Sequence, residues 1–178
     1  MAYKVFIDGQ EGTTGLQIHD RLRGRTDLEL LEIPEELRKD PAAKLDFYRQ
    51  SDVSILCLPD AASREAYQAV RSGKARIIDA STAFRTAPDW AYGLPELSPD
   101  QRSAIRNGRF VSNCGCYAAG FILAVRPLVA AGVVSADYPV TCNAVSGYSG
   151  GGKRLIQTHE GSGSALPTRP YALTLLHK

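Results

Sequence analysis

The chain has no large excess of either charge, no unbroken apolar run of membrane length and no pairing set of cysteines, and each absence removes a class of function. Lys and Arg number 21 against 19 Asp and Glu, a net charge of +2. No basic cluster is interleaved with aromatics, so nucleic acid is not an expected partner. The longest apolar stretch, Tyr117 to Val134, is broken by Arg126 and Pro127, which argues against a membrane partner. Met1-Ala2-Tyr3-Lys4 leads straight into a β-rich run instead of a signal peptide. The 4 cysteines therefore point to free thiols in a reducing, cytoplasmic compartment. Zinc wants about four ligands, and neither Cys57 nor Cys142 offers a second pair to match Cys114 and Cys116, so no metal site is expected. There is no internal repeat and no low-complexity segment. What is present is an ordinary globular composition, 44% hydrophobic over 178 residues, enough for one complete core or for one domain and part of a second.

The most informative stretch is Ser112-Asn113-Cys114-Gly115-Cys116-Tyr117, followed by the apolar run Ala118 to Ala131. Phe121, Val125, Leu128 and Val129 return at helical spacing, and Gly132 stands where a left-handed C-terminal residue is favoured. Cys116 is thus expected at a helix start. There a thiol faces unpaired backbone N–H groups and the positive end of the helix dipole, which favours the nucleophilic thiolate. The bland alternative is a small buried apolar residue. Gly115, free to turn sharply, and the polar Asn113 before it weigh towards function.

The run Tyr3 to Asp8 reads as a strand, and it stops at glycines 9, 12 and 15. Leu16, Ile18 and Leu22 then predict an amphipathic helix. Strand, glycine loop and helix in that order suit a pyrophosphate resting on a helix N-terminus, although G-x-x-G-x-x-G is not the commoner spacing and an ordinary turn is the alternative. Leu28 to Ile33 is a second expected strand. Glu32 near its end is a ribose-binding or merely solvated carboxylate, and Arg38 and Lys39 beyond it lean the cofactor towards NADP.

Val53 to Leu58 has the continuous apolar character of a parallel strand buried on both faces, and Ala61 to Ser72 a helix ending at Gly73. Ile77-Ile78-Asp79 and Phe110-Val111-Ser112 are further strands, with a capping box at Ser98-Pro99-Asp100-Gln101 starting the helix between them. The alternation predicts an α/β fold, a right-handed Rossmann-type parallel sheet. Ligands in such sheets bind beyond the strands' C-terminal ends, where the glycine loop, Pro59-Asp60, Ser81-Thr82 and Asn113 to Cys116 all fall. After Ala131 the pattern changes. Val140 to Ser146 alternates like a strand of an antiparallel sheet, and Gly147 to Lys153 is a glycine-rich loop entering a short helix. The expected division is residues 1–117 as a dinucleotide-binding domain and 118–178 as the start of an α+β substrate and oligomerisation domain that ends abruptly, as a truncated one would.

Taken together, these motifs resemble the N-acetyl-γ-glutamyl-phosphate reductases of arginine biosynthesis, in particular the shorter type 2 group. The resemblance is carried by Gly9 to Gly15, Leu58 to Glu65, Ile78 to Arg85, Tyr92-Gly93-Leu94-Pro95-Glu96-Leu97, Asn113 to Tyr117 and Ser146 to Lys153. It implies an NADP-dependent oxidoreductase that forms a homo-oligomer and reduces a small-molecule acyl phosphate through a cysteine thioester. By the same resemblance Cys116 is the nucleophile and His177 the beginning of a His-x-His segment that includes the acid/base histidine. Gly9, Gly12, Thr13, Thr14, Gly15, Pro59, Ser81 and Gly147 are the expected cofactor contacts, and Arg85, Asn113, Ser149 and Lys153 the substrate contacts. Cys114 departs from the family, which usually has proline there. Aspartate-semialdehyde dehydrogenases, a sister group, and a non-catalytic dinucleotide-binding module are the alternatives, with a Cys114–Cys116 redox switch a third.

Overall fold

The computed structural model describes residues 2–10, 12–161 and 170, the Arg154 side chain excepted. Among these residues, six parallel strands form one sheet in the order β2-β1-β3-β4-β6-β5. They are β1 (Tyr3–Asp8), β2 (Leu28–Leu31), β3 (Val53–Leu56), β4 (Arg76–Asp79), β5 (Ala91–Tyr92) and β6 (Phe110–Ser112). The connecting helices are α1 (Thr13–Leu22), α2 (Pro41–Gln50), α3 (Asp60–Val70) and α4 (Gln101–Asn107), and α5 (Cys116–Ala130) and α6 (Gly152–Gly161) follow the last strand.

The chain leaves β1 towards β2 on one side and returns to β3 on the other, so the strand order reverses between β1 and β3. Right-handed crossovers in opposite directions put α1 on one face and α2 and α3 on the other. Side-chain alternation agrees. Phe6, Leu56 and Ile77 share a face and form the main core with Tyr48 of α2 and Ala66 and Val70 of α3. That core continues into an aromatic cluster in which Phe84 stacks on Trp90 at 4.0 Å and Tyr67 meets Phe110 edge-on at 5.0 Å.

The opposite face is less covered than the continuous apolar run 53–58 predicts. The run is a strand only as far as Leu56, its residues alternate between half-buried and buried, and Ile78 in the neighbouring strand is 37% exposed. Leu16 of α1 is likewise exposed. The expected capping box does not form. Ser98 has extended backbone, α4 starts at Gln101 after Asp100, and no side chain caps it; Ser98 instead offers its carbonyl to the Gln101 N–H in a preceding turn. The strand expected at Val140 to Ser146 is also absent. This exposed segment has no neighbouring strand among the described residues, and an extended backbone becomes a strand only with an edge to bond to. No helix among the described residues is long and apolar enough to cross a membrane.

Candidate functional site

All six strands run the same way, so the loops after β1, β3, β4 and β6 emerge at one edge of the sheet. The first is the glycine loop. Gly9 has φ +86, and a Cβ there would lie 2.3 Å from the Cys57 carbonyl oxygen in the loop after β3. A Cβ on Gly15 would lie 2.3 Å from the Gly9 carbonyl. Glycine at position 9 lets this loop close on the loop after β3, at the point where the strand order reverses, and glycine at position 15 lets α1 seat against the loop's own backbone. Gly12 precedes α1 and no side chain caps that helix, which leaves the N–H groups of Thr13, Thr14 and Gly15 for an anion. The cradle fits a dinucleotide pyrophosphate. Glu32 lies beside His19 at 3.5 Å and is largely exposed.

Along this edge one face carries a buried row in register, Asp8, Leu56, Asp79 and Ser112. Asp8 is held by Lys44 Nζ at 2.9 Å and by the Tyr48 hydroxyl. Burial, and after it Asp8, pushes the Tyr48 phenol above its ordinary range. Asp79 accepts a hydrogen bond from Ser81 Oγ at 2.6 Å, and Ser81 Oγ in turn accepts from the Ala83 N–H at 3.1 Å. Asp60 at the start of α3 grips the same loop, accepting from the Thr82 N–H at 3.0 Å and its hydroxyl at 2.6 Å.

The fourth loop carries the cysteines. The Asn113 N–H donates to the Asp79 carbonyl at 2.8 Å, and the Asn113 side chain accepts from the Gly115 N–H at 2.8 Å. Gly115 takes φ +80, with the Arg85 guanidinium packed so closely that a Cβ would lie 2.7 Å from it. Arg85 also donates to the Asn113 carbonyl at 3.2 Å. This turn buries Cys114 and leaves Cys116 exposed at the first position of α5, whose N-terminus has no side-chain cap. Cys116 opens onto a groove of about 590 Å³ between α5 and residues 140–146, with Tyr117, Phe121, Cys142 and Ser146 among its walls.

The structure thus brings Gly9, Gly12, Thr13, Thr14, Gly15, Pro59, Ser81, Arg85, Asn113 and Cys116 to one edge. Gly147, Ser149 and Lys153 lie on the 3-10 turn Tyr148–Gly151 and its flanks, all exposed, and α6 beyond them touches α1. Ser146 is the residue of that segment lining the Cys116 groove. His177 lies outside the described residues. Sequence reasoning missed α2, and with it Lys44 and Tyr48, as well as the Asp60 and Asp79 hydrogen bonds. Asp40 followed by Pro41 was an available signal, since Asp40 caps α2 by accepting from the Ala42 N–H at 2.9 Å with proline at the first helical position.

Residues 5–105 match the semialdehyde dehydrogenase NAD binding domain family and residues 116–178 the semialdehyde dehydrogenase dimerisation domain family. The chain is 52% identical over 179 residues to N-acetyl-gamma-glutamyl-phosphate reductase of Chelativorans sp. (strain BNC1), covering 100% of this chain and 58% of that protein. It is equally 52% identical to the Trichormus variabilis protein of the same name, over 98% of this chain and 56% of that one. The chain therefore spans somewhat over half the length of these curated relatives. Among solved structures, aspartate semialdehyde dehydrogenase II of Vibrio cholerae superposes with a TM-score of 0.66 at 16% identity, over 97% of this chain and 56% of that one. At that identity the likeness concerns the fold.

Proposed function

The chain belongs to the semialdehyde dehydrogenase family, and from that premise we propose that it provides the cofactor-binding and nucleophile-bearing part of an N-acetyl-γ-glutamyl-phosphate reductase. The reaction is the NADP-dependent conversion of N-acetyl-L-glutamyl 5-phosphate to N-acetyl-L-glutamate 5-semialdehyde. The observation that carries this reading is the exposed Cys116 at an uncapped helix N-terminus, on the same sheet edge as the glycine cradle. The 52% identical relatives bearing that name support the substrate.

The Cys116 thiolate attacks the acyl carbonyl, the carbon–oxygen bond to phosphate breaks, and phosphate leaves with its electron pair. An acyl thioester on Cys116 remains, and one hard displacement has become two easier steps. Negative charge that develops on the carbonyl oxygen is met by the uncapped N–H groups in the first turn of α5. When bound, NADPH would supply the hydride to the thioester carbonyl carbon; the carbon–sulfur bond then breaks, the aldehyde is released and Cys116 returns as its thiolate. Gly9, Gly12, Thr13, Thr14 and Gly15 would hold the pyrophosphate, and Pro59, Ser81 and Gly147 would line the rest of the cofactor. Arg38 and Lys39 would favour a 2′-phosphate. Arg85 stabilises the turn that presents Cys116, and with Asn113, Ser149 and Lys153 it forms the anionic-substrate side of the site. Residues 1–117 are the cofactor domain, and 118–178 belong to the domain through which a homo-oligomer forms. His177 serves as or adjoins the acid/base group.

The test is phosphate-dependent reduction of NADP+ by N-acetylglutamate 5-semialdehyde, with Cys116→Ala as control. Activity that needs phosphate and vanishes in the control supports the proposal. Reduction of NADP+ that ignores phosphate, or that survives the substitution, contradicts it. Aspartate 4-semialdehyde in the same assay discriminates the sister chemistry, and a preference for it would move the substrate assignment.

A further inference from the structure

Two carboxylates of the buried row at the C-terminal edge are treated in opposite ways. Asp8 has a cation, Lys44 Nζ at 2.9 Å, and a phenol donor. Asp79 is fully buried between β3 and β6 and has no ion-pair partner among the described residues. Its Oδ2 accepts from Ser81, whereas its Oδ1 makes no hydrogen bond. Two hydroxyls around it are equally buried and unpartnered, Ser63 Oγ from α3 and Ser112 Oγ from the neighbouring strand. An ionised carboxylate is acceptor-only and demands donors or a cation when buried. A protonated one carries no charge to be compensated, which suits a fully buried side chain with no cation beside it and a single hydrogen bond, from Ser81.

We infer that Asp79 is a positioning residue that works as a neutral carboxylic acid, accepting from Ser81 so as to hold the loop after β4 and the nucleophile turn in one arrangement. The connection to the turn is short. The Asp79 carbonyl seats the Asn113 N–H, Ser81 passes the constraint to the Ala83 N–H, and Arg85 two residues on packs against Gly115. The titratable groups facing Asp79 from its neighbours are the Cys57 thiol at the end of β3 and the Asp60 carboxylate at the start of α3. Neither is a cation, and Asp60 disfavours a second negative charge. Burial is the main influence raising the Asp79 pKa, opposed by Ser81 and Ser63 and assisted by Asp60.

The direct test is infrared difference spectroscopy near neutral pH between the parent protein and Asp79→Asn. A protonated-carboxyl carbonyl band lost in the variant is expected; its absence from the parent overturns the inference. Thermal unfolding gives a second readout independent of turnover. A carboxyl whose folded pKa is raised stabilises fully below its ordinary range and loses that contribution as pH rises through the folded value. The parent should therefore lose melting temperature relative to Asp79→Asn as pH rises above the ordinary carboxylate range, and parallel curves overturn the neutral acid.

Positioning is read from NADPH affinity, the one readout that rests on the cofactor reading above. Asp79→Ala should weaken binding roughly tenfold, about the worth of one lost hydrogen bond, with Asp79→Asn restoring most of it. Equal loss in both variants contradicts positioning by a neutral group. A parent that binds no NADPH contradicts the cofactor reading itself, and the infrared band then decides the protonation of Asp79 alone.

Discussion

At the scale of single residues, the division of labour between the two neighbouring cysteines follows from Gly115. Its φ of +80 turns the chain so that Cys114 is 7% exposed while Cys116 faces the groove. Alkylation at mild pH should label Cys116 before Cys114, with peptide mapping as the check; Cys114 reacting first would reverse the assignment. Cys57 gives a pH-dependent contrast. Burial, then the charges of Asp79 and Asp8, push its thiol up to about 11. Its alkylation rate should therefore keep rising until about that pH, well past the range of an ordinary thiol. The Asp8 pair belongs to this scale too. Replacing Lys44 with Met leaves a buried carboxylate without its cation, and a loss of about 3 kcal/mol in denaturant unfolding is expected. A variant as stable as the parent would mean that the pair contributes nothing net.

At the scale of elements, the glycine loop shows what sequence pattern can and cannot reveal. Glycines at 9, 12 and 15 between a strand and a helix were legible as a backbone-limited turn. Which of them is indispensable was not, because that depends on Cys57, 48 residues from Gly9 in the chain and adjacent only in the sheet. Gly9→Ala meets both a left-handed φ and the Cys57 carbonyl and should cost about 2 kcal/mol or more. Gly24→Ala, with nothing within 4 Å of the added Cβ, is the control and should change stability by less than about 1 kcal/mol. Urea midpoints for the pair check this.

The helix carrying Cys116 was equally legible, since its apolar spacing and Gly132 bound it correctly. Two failures have a shared cause. The strand expected at 140–146 and the capping box at Ser98 both rest on local pattern, yet the first needs a partner edge and the second was displaced by a tertiary anchor, the Gln101 side chain donating to the Tyr92 carbonyl at the β5 edge. Helix α2, by contrast, has weak amphipathic spacing, and its place is set by Asp8 meeting Lys44 and Tyr48, contacts that no window of sequence contains.

At the scale of the whole molecule, one face of the sheet is packed by α2 and α3 while α5 has no buried residue. Phe121, Leu123 and Leu128 are exposed along it, beside the exposed Val133, Tyr138 and Val140. An apolar helix so uncovered, in a region matching a dimerisation domain family, supports the proposed homo-oligomer. Light scattering should find a species heavier than the 19.3 kDa chain, and glutamate at Leu123 and Leu128 should shift it towards the single chain. An unchanged distribution would separate this face from assembly.

The central claim is that Cys116 carries the acyl group, and it is tested most directly by supplying N-acetylglutamate 5-semialdehyde and NADP+ without phosphate. On the proposed mechanism the thiolate would add to the aldehyde, the hydride would pass to the nucleotide, and the thioester would have no phosphate to accept its acyl group. The account predicts a single burst of NADPH and an acyl group mapped by mass spectrometry to Cys116. An acyl group on Cys114, or turnover with no covalent adduct at all, would contradict it.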